Sequence, residues 1–480
     1  MISKNFIKTS FIYTLAGALP MASAILLLPF YIQLPTSVYG ALSLYLAFSL
    51  FVQIVVAYSF DSSTYIHYHE FKNDFSKLSS FISSAFVFMM LIGAGVGLVL
   101  VLLGDLLFEL IFDDEKISFF PFGLMAVATG IFQALCKVYS NILQSREKPL
   151  LFLRSNLLLF TLIATLTVGG LYFFPGTLIG PIGGRMLAGL VVACWALYRI
   201  FGEFGFHFNY PLLKSTFGFS HYAFIHQIQQ WVINNFDRFL MLFFLPLSSI
   251  GVYDFAIKCL IVIEFVSNAL HNSFYPKVVS AITAQTSKGT TPELNRYYYG
   301  LTAVVMILVS LSIFMLPFLS YFLESKRGYQ DAVQYFPYIA VIYMIKSMRF
   351  YFAVPFGILK YTKPLPVISF ITSAIKIGLI VLLVREFEIY GIIAATLISS
   401  VVEIFILRQG LKEKFSFQYN IFKLIIAPAV LVIAVLLLEP FLAKNFRLPL
   451  HLFYMAVAGG FLFWAYRNEL KLINFSKIFS

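Results

Sequence analysis

Charge is scarce in this chain. Of its 480 residues only 12% are Asp, Glu, Lys or Arg, against roughly 25% in an average soluble domain. That excludes an ordinary water-soluble protein. Long polar stretches are also missing, so no soluble domain can be placed anywhere along the chain. There is no Gly-rich loop followed by Lys and Ser/Thr and no loop large enough for an ATPase domain. A nucleotide-driven pump is therefore excluded, and movement would have to draw on an ion gradient, the membrane potential or substrate flux. Long outer loops, expected of a periplasmic glycosyl polymerase, are absent too. The three cysteines, Cys136, Cys194 and Cys259, all fall inside apolar runs and imply neither a disulfide framework nor a metal site. A cleavable leader is not expected: Lys4 and Lys8 precede an apolar stretch from Ser10 to Leu34, longer than the 7–15 residues of a signal h-region. It reads as a first, retained span.

What the chain has is apolar length. Hydrophobic residues make up 60% of it and aromatics 18%, with 55 Phe and 28 Tyr. Runs of about twenty apolar residues, each enough to cross a hydrocarbon core of about 30 Å, follow one another almost without pause. Backbone groups in lipid must be bonded within their own element, so such runs mean helices. The expected spans are 10–34, 38–60, 79–103, 118–142, 151–174, 179–201, 219–245, 249–277, 297–323, 333–357, 365–386, 388–408, 420–438 and 450–466, fourteen in all. Loops on one side hold 19 Lys and Arg, among them Lys148 and Lys363; loops on the other hold 6. The positive-inside rule then puts both termini in the cytoplasm. The net charge of +12 is mostly this bias and gives no argument for nucleic acid.

The second half of the chain echoes the first. Lys148-Pro149-Leu150 matches Lys363-Pro364-Leu365, an offset of 215. Leu34-Pro35 followed by Val38-Tyr39 reappears as Leu245-Pro246 followed by Val252-Tyr253, and Ile179-Gly180 is echoed by Tyr390-Gly391. One order and nearly one spacing argue for duplication. Six spans separate equivalent helices, so the repeat is parallel, about an axis along the membrane normal, as in some secondary transporters. The expected fold is an all-α polytopic membrane protein of about 14 transmembrane helices. Two parallel six-helix lobes, 1–205 and 215–410, would surround a central cavity. Two extra C-terminal helices, 420–466, and a cytoplasmic tail, 467–480, would follow.

A charge at the centre of a membrane helix costs about 2.5–3.5 kcal/mol on insertion scales, so it normally faces protein or water and marks a pathway. Nine of the Lys and Arg lie in or at the edge of spans: Lys137, Arg154, Arg185, Arg238, Lys258, Lys346, Arg349, Lys376 and Lys423. Lys137, Arg154 and Lys423 sit near the cytoplasmic face, where snorkelling to water is the simpler account. Lys346 and Lys376 are mid-span, too deep for that, and Arg349 shares a helix face with Lys346 at i+3. Asp237 and Arg238 point in different directions on one helix, and Asp237 can meet Lys258 on the next. Glu264 and Glu403 are either proton sites or partners for Lys346 or Lys376. His67, His69 and Glu70 have metal-like spacing but read as a solvated loop. His221, His226, Gln227, Gln229 and Gln230 make a polar helix start that suits the mouth of a watery cavity, because such groups facing lipid would be costly.

Asn234-Asn235-Phe236-Asp237-Arg238-Phe239-Leu240, followed by Ile250-Gly251-Val252-Tyr253, resembles a signature of bacterial polysaccharide flippases. These are the Wzx-type O-antigen and oligosaccharide translocases of the multidrug/oligosaccharidyl-lipid/polysaccharide exporter superfamily. Pro20, Leu28-Pro29, Val38-Tyr39-Gly40 and the stretch from Gln144 to Pro149 fit the same pattern, and the likeness covers essentially the whole chain. The resemblance implies a non-enzymatic, cofactor-free translocase. It would flip an undecaprenyl-diphosphate-linked oligosaccharide from the inner to the outer leaflet of the bacterial inner membrane by alternating access. Its partners would be that lipid-linked oligosaccharide, membrane lipid, and a polysaccharide polymerase with chain-length regulator proteins. The anionic headgroup would need cations, for which Lys346, Lys376, Arg349, Arg185 and Arg238 are the candidates, Arg binding phosphate bidentately and Lys as a point charge. Asp237, Lys258, Glu264 and Glu403 are candidates for ion coupling or ion pairing, and Trp231 and Tyr343 for sugar stacking or plain packing. The alternatives are a multidrug/cation antiporter of the same fold, which would favour an acidic cavity, a peptidoglycan-precursor flippase, and more remotely a scramblase.

Overall fold

The computed structural model describes residues 4–112, 117–283, 289–326, 328–359, 361, 363–443 and 448–470. Most of the expected tail 467–480, the apex of the outer loop 104–117 and the loop basic residues at 288, 327, 360, 444, 447, 471 and 477 lie outside them. Within the described residues the chain is helical: α1 Lys4–Tyr31, α2 Thr36–Ala57, α3 Phe60–Phe71, α4 Phe75–Ile111, α5 Leu124–Ser145, α6 Pro149–Phe173, α7 Gly184–Phe204, α8 Tyr210–Leu242, α9 Leu247–Thr283, α10 Pro292–Leu323, α11 Phe336–Ile358, α12 Pro364–Gly410, α13 Ala427–Ala443 and α14 Leu448–Leu470. Short π-type turns, Phe119–Gly123, Ile179–Gly183 and Phe422–Ile426, lead into α5, α7 and α13.

Every expected span coincides with a helix, with two differences. The second span is broken where Tyr58 and Ser59 take left-handed backbone (φ 44° and 59°), so α3 leaves at a new angle and carries helix on to Phe71. The eleventh and twelfth spans are joined in α12, interrupted at Glu388 (φ 48°, ψ −126°). A Cβ at Gly391 would lie 2.5 Å from the Leu383 carbonyl, although eight residues of straight helix would separate the two by about 12 Å. The chain therefore doubles back at Glu388. Nine stretches among the described residues are long and apolar enough to cross a membrane by length and composition alone. Helices α8 and α9 fall short because side chains such as Gln227, Gln230, Asp237, Arg238, Asp254, Lys258 and Glu264 interrupt them.

The sequence echoes fall at equivalent places. Leu34-Pro35 and Leu245-Pro246 each end a short turn and directly precede the first residue of a helix, α2 or α9. Lys148-Pro149 and Lys363-Pro364 each open a helix with proline in its first turn, where a missing N–H costs nothing. Gly180 and Gly391 each sit on backbone across a tight reversal: a Cβ at Gly180 would meet Gly170 at 2.3 Å. At Gly40 a Cβ would lie 2.0 Å from the Leu247 carbonyl oxygen, and at Gly251 one would lie 2.0 Å from that of Thr36. The two helix starts thus cross reciprocally, each glycine against the other helix's first residue.

Packing divides the chain at Gly251. In the first unit α5 is central, packed against α2, α3 and α7, with α6 against α1 and α7 and with α8 against α2, α3 and α4. Sequence equivalence assigns α8 to the second repeat, yet it packs within the first unit. The stretch leading into α8 is fastened to α4: the Ser83 hydroxyl accepts from His207 N at 2.8 Å, Ser84 accepts from Asn209 N at 2.7 Å, and Ser79 donates to Phe204 O. In the second unit α10 packs against α11, α13 and α14, and α11 against α12. From Leu91 to Leu103 the exposed face of α4 is apolar, with Leu91, Leu98 and Leu102 bare, as a helix against lipid requires; Asp105 and Glu109 are exposed nearer its C-terminal end.

Candidate functional site

The polar groups of the first unit gather around the break between α2 and α3. The break places Asp61 in the first turn of α3, where the unbonded N–H groups favour a carboxylate. Its side chain is buried, yet it is well satisfied. Lys137 Nζ of α5 lies 2.7 Å from Oδ2. Gln227 Nε2 of α8 donates to both oxygens at 3.0 and 3.2 Å, and the Ser62 N–H donates to Oδ1 at 3.0 Å. Asn141 Nδ2 reaches the Asp61 carbonyl at 3.0 Å. Nearby, Gln53 Nε2 donates to the Gln133 carbonyl at 3.4 Å. The side-chain oxygen of Gln227 and the amide nitrogen of Gln230 are buried without hydrogen-bond partners among the described residues.

Further along α8, Arg238 is buried at 7% exposure and Asp237 at 3%. The guanidinium donates to Ser43 Oγ at 3.1 Å, to the Asn234 carbonyl at 2.9 Å and to Asp237 Oδ1 at 3.1 Å. Neighbours on a helix diverge at Cβ, but an arginine is long enough to fold back along the groove. Trp231 donates to the Ala47 carbonyl at 2.9 Å and packs on Phe51, so its indole is engaged in packing. Arg185 opens α7, and its Nε is buried without a hydrogen-bond partner among the described residues.

Acid–base pairs recur among the described residues of the second unit. Arg349 Nε of α11 lies 2.6 Å from Glu403 Oε1 of α12. Lys258 lies 2.6 Å from Asp254 one turn away on α9. Lys423 lies 2.7 Å from Glu469 of α14. Lys376 is buried on α12 at 5% exposure, while Lys346, half-buried on α11, holds its ammonium 5.9 Å from the Tyr343 ring centre. The Tyr343 hydroxyl donates to the Ile257 carbonyl at 3.3 Å. Glu264 is half-buried on α9.

Several sequence expectations are revised by these contacts. Lys137 and Lys423, expected to snorkel, end on carboxylates of neighbouring helices. Glu403, open in the sequence between a proton site and a partner for Lys346 or Lys376, pairs with Arg349. His67 and Glu70 lie on helix α3, not in a loop, joined at 2.6 Å. Among the described residues no group of three metal ligands forms. Asp61, Asp254 and Glu469 were missed. The available signal for Asp61 was Lys137 and Asn141, one turn apart on a helix, with no acid nearby in sequence.

The fold is shared with several solved membrane proteins. Lipid II flippase MurJ in an inward closed conformation is similar over 98% of this chain and 100% of its own, with a TM-score of 0.68 at 14% identity. An inward-facing multidrug resistance MATE family transporter of the MOP superfamily is similar over 83% of this chain and 96% of its own, with a TM-score of 0.64 at 13% identity. The MATE multidrug transporter DinF-BH gives a TM-score of 0.56 at 13% identity, over 85% of this chain and 94% of its own. At these identities the likeness concerns the fold alone. No curated protein matches the sequence. Residues 6–282, more than half of the chain, match the family described as "Polysaccharide biosynthesis protein", and the chain belongs to that family.

Proposed function

We propose that this protein flips an undecaprenyl-diphosphate-linked oligosaccharide, the repeat unit of an O-antigen, capsule or exopolysaccharide, from the inner to the outer leaflet. It acts in a bacterial inner membrane with both termini in the cytoplasm, by alternating access between the repeated halves 1–205 and 215–410. The observation that carries the reading is the family membership. The chemistry of the helices agrees with it. A diphosphate-sugar headgroup is anionic and rich in hydroxyls, so it needs cations together with neutral donors and acceptors inside the spans. Lys346, Lys376, Arg349, Arg185 and Arg238 are the proposed substrate cations, and the glutamines of α8 and α5 are groups suited to sugar hydroxyls. Asp237, Lys258, Glu264 and Glu403 serve ion coupling or pairing. A cation exporter would need a surplus of acid, whereas Asp61, Asp237, Asp254, Glu403 and Glu469 are each matched by a basic group.

The test is deletion of the gene, followed by analysis of surface polysaccharide and of lipid-linked intermediates. Surface glycan should disappear while its lipid-linked repeat unit accumulates on the inner side. Lys346→Ala and Lys376→Ala should fail to restore glycan at normal protein level, and Arg at either site should restore it in part, since charge is kept while geometry changes. Accumulation of peptidoglycan precursor instead, or unchanged surface glycan with altered drug resistance, would overturn the proposal.

A further inference from the structure

Helix α5 carries a second clue. From Gln133 to Ser145 its residues are buried except four: Gln133, Lys137, Asn141 and Gln144. Their spacing, i, i+4, i+8 and i+11, puts them on one face of the helix. All four are polar. An accessible face turned to lipid would be apolar, as that of α4 is between Leu91 and Leu103, because uncompensated polar groups in hydrocarbon cost several kcal/mol. The polar face of α5 therefore borders water or a polar ligand.

On that face the Lys137–Asp61 pair is lopsided. The side chain of Lys137 is 42% exposed and that of Asp61 only 6%. The carboxylate is walled in by Ser62 and Gln227, but the ammonium stands open. An ammonium has three N–H donors, and Asp61 Oδ2 engages one. The others can bond a phosphate oxygen without breaking the pair, so no carboxylate is stranded when an anion arrives. Asp61 fixes the lysine, and Gln227 fixes Asp61, so the rotamer entropy of a long side chain is largely lost before binding. Lys137 also lies eight residues from Ser145, about 12 Å from that end of α5. That is the end whose loop carries Arg146 and Lys148, on the side assigned to the cytoplasm.

We propose that Lys137 is an anion-binding residue of the first unit that takes a phosphate oxygen of the substrate's diphosphate, with Asp61 as its positioning residue. The inference rests on the flippase reading and adds to it a contact on the first unit, at the loading side. Purified protein in detergent is titrated with undecaprenyl diphosphate and, separately, with inorganic pyrophosphate. Wild type should bind the lipid. Lys137→Gln should weaken it about tenfold or more, the worth of a charge-assisted hydrogen bond, and Lys137→Arg should lose much less. Since Lys137→Gln leaves Asp61 without its cation, the paired variant Lys137→Gln/Asp61→Asn removes both charges together and keeps the fold. It should bind as weakly as the single variant. Asp61→Asn alone should weaken binding less, because the ammonium remains but is no longer held. If pyrophosphate binding falls in parallel, the diphosphate itself is the recognised group. A paired variant that melts like wild type and binds both probes equally well would overturn the assignment of Lys137. Wild type that binds neither probe would instead overturn the flippase reading, so the two failures are distinguishable.

Discussion

The crossing of α2 and α9 admits a quantitative test. A Cβ built at Gly40 lies 2.0 Å from the Leu247 oxygen, and one at Gly251 lies 2.0 Å from the Thr36 oxygen. An ordinary carbon–oxygen contact is about 3.3–3.6 Å, so Gly40→Ala overlaps backbone by more than 1 Å. Backbone cannot rotate aside as a side chain can. The first turns of the two helices must separate, and forced shifts of this kind cost about 1–3 kcal/mol. Alanine also gains about 0.8–1.0 kcal/mol of helix propensity over glycine, which offsets part of the loss. Gly218→Ala, inside α8 with nothing within 4 Å of its Cβ, keeps that gain without the clash. The sign of the change should therefore differ between the two sites. Denaturation midpoints of the purified protein in detergent should fall for Gly40→Ala and Gly251→Ala and hold or rise for Gly218→Ala. Once one alanine has parted the helices the second has less to displace, so the double variant should lose less than the sum. Equal midpoints for Gly40→Ala and Gly218→Ala would refute the close crossing and its reciprocity.

Two further outcomes are expected. Breaking the Arg349–Glu403 pair by Arg349→Gln should destabilise by about 1–3 kcal/mol, between the values for exposed and buried pairs because the arginine is one-third exposed; charge exchange, Arg349→Glu with Glu403→Arg, should recover part of the midpoint, and no recovery would mean the pair is not what holds these helices. In a cysteine-free background, Lys148→Cys should react with an impermeant thiol reagent only from the cytoplasm and Pro175→Cys only from outside; both reacting from one side would refute the topology.

Much of the architecture was legible because membrane helices obey a local rule. Backbone bonding and hydrocarbon thickness fix the type and the least length of each element from composition alone, so the fourteen apolar runs fall on helices, some of which, such as α4 and α9, extend well past them. Loop charge gave an orientation in the same local way, and short echoes such as Leu34-Pro35 and Leu245-Pro246 pointed to helix starts that do correspond. The breaks were less visible. Nothing in Tyr58-Ser59 or Glu388 announces left-handed backbone, since neither is glycine; the surrounding packing holds them there.

The candidate site divided along the same line. Its ingredients, the basic and acidic residues within spans, are written in the sequence, and helical period states which of them share a face. Period says nothing about which helix lies opposite. Asp61 finds Lys137 across 76 positions of chain, Arg349 finds Glu403 across 54, and Lys423 finds Glu469 across 46. Ion pairs form in low dielectric wherever opposite charges come within reach, because an unpaired charge there is costly. Which charges come within reach is settled only by how the helices pack. Composition, spans, charge bias and repeat thus belong to the sequence. The tertiary structure alone decided which carboxylate neutralises which cation, and which face of α5 stays exposed.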